Sequence, residues 1–225
     1  MPGIRVASWG WKLATTADSP GTTSQQLAAE KLVLDLWKLR SATNVCLTLI
    51  PNRLRQANAG IFQTSNRPII FIAHSAGGLI VKSALLYSQS TEDDSTIDLH
   101  SIASSTSGAI FLGTTELDSR LEGLQSYLTS AQGSGQESSE VYQEALWLIH
   151  TLQKFPLIGE NIWTLSVHER PGSSHAEVKW DEGRGSHILV QTGHDEMIKF
   201  DRVCEGYLQI KEHLMFVDLK AEIDA

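Results

Sequence analysis

The chain has 225 residues, 41% of them hydrophobic, and a formal net charge of -8 from 18 Lys and Arg against 26 Asp and Glu. That length suits one domain with a well-buried core, and with no Lys/Arg block near the aromatic residues nucleic acid is excluded as a primary partner. Cys46 and Cys204 are far apart and form no CxxC pair, which predicts a reducing, cytoplasmic setting, with peripheral membrane or organellar association still compatible. No apolar run is long enough for a transmembrane segment, and the N-terminus has no signal-peptide pattern.

Residues 4–9 (Ile-Arg-Val-Ala-Ser-Trp) alternate weakly, as a short strand does, and the Ser/Thr/Pro/Gly-rich residues 15–24 predict a loop. Leu27, Leu32, Leu34, Leu36 and Leu39, interspersed with Lys and Glu, predict a partly buried helix over 24–40 capped by Ser24. Residues 45–50 are strand-like, and 51–66 show no clear period. Next comes Pro68-Ile-Ile-Phe-Ile-Ala73, a continuous apolar run of the kind found in a central parallel strand, followed by Gly77-Gly78 opening an apolar helix through Leu86. Residues 89–98 form an acidic loop, and Gly108-Ala-Ile-Phe-Leu-Gly113 a second buried strand. Residues 116–140, low in apolar side chains and containing Ala131-Gln-Gly-Ser-Gly135, predict a mobile loop. A helix over 141–154, strands over 161–167 and 187–191, a helix over 203–214 and a tail over 215–225 complete the pattern. Strands alternating with helices predict a single α/β domain, with a mostly parallel sheet and helices on both faces.

The chemistry concentrates at Ala73-His74-Ser75-Ala76-Gly77, which matches G-x-S-x-G with Ala for the first Gly. It joins the most apolar strand to a helix, as a nucleophile elbow requires. In such a turn the serine takes a strained backbone conformation, so small residues are expected two before and two after it, here Ala73 and Gly77. The backbone N–H of Ala76, at the helix N-terminus, then becomes an oxyanion donor. The plainer alternative is a glycine-rich turn whose serine merely caps the helix. Zinc is not expected: His168, His175 and His187 have neither i, i+4 pairing nor a cysteine partner, and no cofactor is required.

Three blocks carry a family likeness: Arg67-Pro-Ile-Ile-Phe-Ile-Ala-His-Ser-Ala-Gly-Gly-Leu-Ile-Val-Lys-Ser-Ala-Leu85, then Ser107-Gly-Ala-Ile-Phe-Leu-Gly-Thr114, then Gly193-His-Asp-Glu-Met-Ile-Lys-Phe200. They resemble the SERAC1-like (DUF676, PGAP1-related) α/β-hydrolases of fungal type. The resemblance implies a serine esterase or lipase-like enzyme with its triad in the order serine, acid, histidine. Ser75 aligns with the family nucleophile and His194 with its histidine. The acid should follow the third predicted strand, where Glu169 is the first choice and Asp181, in Trp180-Asp-Glu-Gly183, the alternative.

The pattern departs from the family in three places. The family's His-Gly loop, which supplies a second oxyanion N–H, has no counterpart, and the usual G-T-P-H after the second buried strand is replaced by Gly113-Thr-Thr-Glu116. Residues 44–66 stand where an insertion or a gene-model artefact would. An N-terminally truncated sheet lacking its first strands is therefore expected, with an exposed edge at residues 4–9 and a substitute donor sought in residues 9–12. The functional expectation is a carboxylic-ester hydrolase acting on a small ester or a lipid. A catalytically impaired interaction or signalling module, meeting a protein partner through the exposed edge, is the alternative.

Overall fold

A computed structural model describes residues 4–11, 22–48, 67–91, 97–114, 120–133, 135, 139–169, 178–180, 184–190, 192–199 and 205–223. Helix α1 is Ser24–Thr48, strand β1 Ile69–His74, α2 Ala76–Ser90, α3 His100–Ser104 and β2 Thr106–Leu112. Then follow α4 Arg120–Ala131, α5 Glu140–Gly159, β3 Trp163–Glu169, β4 Val178–Trp180, β5 Gly185–Val190 and α6 Glu205–Ile223. The sheet order is β1-β2-β3-β5-β4. The first four strands in that order run parallel, and β4 pairs antiparallel with β5 at the outer edge.

Strand β2 separates two cores, because successive side chains of a strand point to opposite faces. Ala109 and Phe111 join buried residues of α1, α2 and α5 on one face, including Val33, Leu85 and Phe155. Ile110 and Leu112 face the other way and meet Leu165, Val167, Ile188, Met197 and Ile210, the last from α6. Helices therefore cover both faces of a parallel sheet, as strand–helix alternation predicts.

Several local expectations are corrected. Residues 4–9 are not a strand: among the described residues the segment joins no ladder, and side chains hold it, Trp9 Nε1 donating to Asp35 Oδ2 at 3.0 Å and the Trp9 ring stacking on Trp11. Lys31 also bonds Asp35, and these two contacts, Lys31 first, hold the Asp35 carboxyl below its ordinary value. The strand-like residues 45–48 are the last turns of α1, since extending an existing helix adds a hydrogen bond per residue whereas an isolated strand gains none. Thr23, not Ser24, caps α1 through a bond from Gln26 N. The expected mobile loop over 116–140 contains α4, whose Leu124 and Leu128, one turn apart, pack against Ile149 and Leu152 of α5. The expected tail over 215–225 is helical as far as Ile223, with Val217 buried on Gly108 of β2. The exposed sheet edge lies at β1 rather than at residues 4–9: among the described residues no strand pairs with its outer side, and Ile72 is 59% exposed.

His213 lies on the inner side of α6, and burial pushes its pKa below the ordinary 6.5, against a smaller opposing effect of a hydrogen bond with the Trp163 backbone. An unfolded chain takes up a proton there near 6.5 and the folded chain only at lower pH, so stability is lost as pH falls through that window. Urea midpoints should drop between pH 7.5 and 5.5. The drop should be smaller in His213→Gln, and equal pH dependence in the two proteins would show that His213 does not carry the effect.

Candidate active site

Ser75 sits between β1 and α2 with φ 53° and ψ -128°, and it is the one non-glycine residue with positive φ among the described residues. A β-carbon in that region is strained by about 1–3 kcal/mol, so neighbouring contacts must impose the conformation. Two come from the end of β2: Ser75 N donates to Leu112 O at 2.9 Å, and the Thr114 hydroxyl donates to Ser75 O at 3.0 Å. The Thr114 contact needs Gly78, because a β-carbon there would lie 2.0 Å from Thr114 Oγ1. At Gly77 the nearest atom would be Trp11 Cζ3 at 3.7 Å, an ordinary contact. The need for a missing side chain, expected at Gly77, thus falls on Gly78.

His194 arrives from the turn after β5. Its Nε2 lies 2.9 Å from Ser75 Oγ, the geometry in which an imidazole accepts the serine proton. The ring fits closely against Gly113, where φ is +58° and an added β-carbon would lie 2.9 Å from His194 Nδ1. Met197, fully buried, anchors the same turn in the second core. Gly113 N also donates to Val167 O at 2.8 Å, tying this end of β2 to β3.

The other expected residues are placed less closely. Glu169 ends β3, exposed, and alternation puts it on the same face as Val167, the face that packs against Met197. No hydrogen bond joins Glu169 to His194 among the described residues. Asp181 lies outside the described residues. Ala76 opens α2, and a first-turn N–H has no intrahelical acceptor, which leaves it available to an oxyanion. Trp11 rests over Gly77, so residues 9–11 pass beside the elbow; Lys12, the end of the segment searched for a second donor, is outside the described residues.

Residues that motif reading missed are His74, Gly78, Gly113 and Thr114. The doubled glycine after the serine and the Gly-Thr pair closing the second buried strand were the available signals. His168 and His187 meet, Nε2 to Nδ1, at 3.0 Å, yet among the described residues no group of three metal-ligating side chains forms. No helix among the described residues is long and apolar enough to cross a membrane.

No protein-family model, curated protein or solved structure matches the chain.

The elbow contacts give a paired test. Gly78→Ala should displace Thr114 and destabilise the fold by about 1–3 kcal/mol, the usual cost of overpacking, whereas Gly77→Ala should stay within about 1 kcal/mol of the parent. Chemical denaturation compares them, and equal midpoints would refute the bracing role of Thr114 over Gly78.

Proposed function

We propose that the chain is a serine hydrolase of α/β-hydrolase type that cleaves carboxylic esters, small or lipid-derived, in keeping with its resemblance to the SERAC1-like family. The observation that carries this reading is the 2.9 Å approach of His194 Nε2 to Ser75 Oγ at a strained strand-to-helix turn. The two residues are far apart in sequence, on elements that meet at the same end of the sheet. A capping serine would need neither the strain nor the histidine. Indeed Ser75 makes no side-chain cap hydrogen bond to α2.

The chemistry follows from these positions. Ser75 Oγ attacks the ester carbonyl while His194 Nε2 takes its proton, and the oxyanion forms near the Ala76 N–H at the positive end of α2. His194 then protonates the departing alcohol. Water, activated by the same imidazole, releases the acyl group from Ser75. A second oxyanion donor is sought in residues 9–11, whose Trp11 ring rests over Gly77. Glu169 is the carboxylate on the His194 side of β3, and it serves as the orienting acid only through a bond absent from the free protein.

Fluorophosphonate labelling tests the reading without knowledge of the substrate. The parent should be labelled, Ser75→Ala should not, and His194→Gln should react at least about 100-fold more slowly. An unlabelled parent would sink the proposal. Glu169→Gln is expected to keep ester turnover within about tenfold of the parent, against the roughly 10⁴-fold loss typical of a hydrogen-bonded triad acid. A loss of that larger size would assign Glu169 to the imidazole.

A second reading, an interaction module, is favoured by β1. Its sequence is apolar on both faces, yet its outer edge is unpaired among the described residues and borders a groove of about 620 Å³ lined by Trp9, Trp11, Leu36, Ile70 and Ile72. Unpaired backbone beside apolar side chains invites strand addition from another chain. If so, the parent should self-associate or sediment with rising concentration, and Ile72→Lys should reduce this while leaving fluorophosphonate labelling intact. A parent that stays monomeric at high concentration would count against association of the chain with itself.

A further inference from the structure

We infer that His74 is a positioning residue for His194, an inference that rests on the serine-hydrolase reading above. His74 Nε2 lies 3.0 Å from the backbone carbonyl oxygen of His194. A carbonyl oxygen only accepts, so His74 carries a proton on Nε2 and donates it. Two consecutive residues of the elbow therefore hold His194 at two points, Ser75 at its ring and His74 at its backbone. The two imidazoles also lie 4.7 Å apart, tilted by 40°, which limits the swing of the His194 ring toward β1.

This contact has weight because of the turn that carries His194. Residues 192–199 are exposed except Met197. The bonds from Glu196 N and Met197 N to Gly193 O shape the turn, and the Glu196–Lys199 pair lies within it, but none of them attaches it to the sheet. Attachment comes from Met197 in the core and from the elbow. Among the described residues no carboxylate bonds His194, so the donor on its backbone takes over part of the orienting work that an acid usually does through the ring. A displacement of about 1 Å at a reacting group is enough to slow chemistry severely. Sequence order makes the device economical: the residue before the nucleophile is fixed by the same strand end, so the base and the nucleophile are set from one place.

The test separates the hydrogen bond from the ring. His74→Phe keeps an aromatic ring against His194 and removes the donor, while His74→Gln removes the ring and keeps an N–H of similar reach. Measured on a nitrophenyl ester, His74→Phe should lower kcat by about three- to tenfold, the range set by an ordinary net hydrogen bond, with KM unchanged within about twofold. His74→Gln should recover most of the kcat, and both should melt near the parent. Parental kcat in His74→Phe overturns the inference, as does an equal loss in both variants at parental melting temperature. Should His74→Phe be unstable, His74→Leu takes its place as the variant without a donor: a loss of kcat there that His74→Gln recovers upholds the role of the donor, and parental kcat there rejects it. A parent inert toward both ester and fluorophosphonate overturns the hydrolase reading and this inference with it, whereas an active parent indifferent to His74 overturns this inference only.

Discussion

The strained turn at Ser75 is the constraint on which the rest of the site depends. A serine at φ 53° persists only where its surroundings leave no alternative, and here the surroundings are the C-terminal end of β2. Leu112 takes the Ser75 N–H, Thr114 holds the Ser75 carbonyl, and Gly113 both pairs with Val167 and makes room for His194. Three consecutive residues thus brace Ser75, link it to β3 and make room for His194. β2 can do this because it is buried on both faces, with Ala109 to Leu112 all nearly inaccessible. The precision of the exposed site is inherited from the least exposed strand.

What the sequence made legible follows from how local each feature is. β1, β2, β3 and β5 were visible because each is written as a largely apolar run, and each run falls within a few residues of its strand. Ser75 and His194 were visible because the elbow is a contiguous motif and the histidine's place follows from strand order. Residues 4–9 failed as a strand because pairing depends on a neighbour that a weak alternation cannot supply. Helix α4 was missed because, among its described side chains, Leu124 and Leu128 mark the side turned to α5 amid Ser, Gln and Gly. Gly78, Gly113 and Thr114 act through contacts between segments more than thirty residues apart, so the doubled glycine and the Gly-Thr pair mark the positions without stating their partners. Glu169 shows the same limit from the other side. Strand order brought it to the end of β3 on the face of Val167, but whether a side chain reaches an imidazole is set by atoms, not by order.

β1 combines a local pattern and a position that disagree. Ile-Ile-Phe-Ile is the composition of an interior strand, yet β1 closes one edge of the sheet and Ile72 faces solvent. In a consistent sequence the pattern of a segment agrees with its surroundings, and disagreement marks a place where function or association intervenes. α6 repeats the theme, for Leu208, Met215 and Leu219 lie exposed on its outer side. The conflict at β1 bears on the proposed chemistry because this strand leads directly into Ser75.

The two halves of the proposed reaction therefore rest on unequal supports. Nucleophilicity depends on Ser75 and His194, and both are fixed from the β2 side by ladder-end hydrogen bonds and buried side chains. Oxyanion stabilisation depends on Ala76 and on whatever stands across from it. On that side the chain is held by Trp11 over Gly77 and by the Trp9 bond to Asp35, without any backbone ladder among the described residues. Removing one oxyanion donor typically costs about 100- to 1,000-fold in turnover. In the proposed reaction a site braced in this way would separate the two properties: Ser75 and His194 are held together from the β2 side, while any contribution of residues 9–11 to turnover would depend on how firmly Trp11 holds that segment against the elbow.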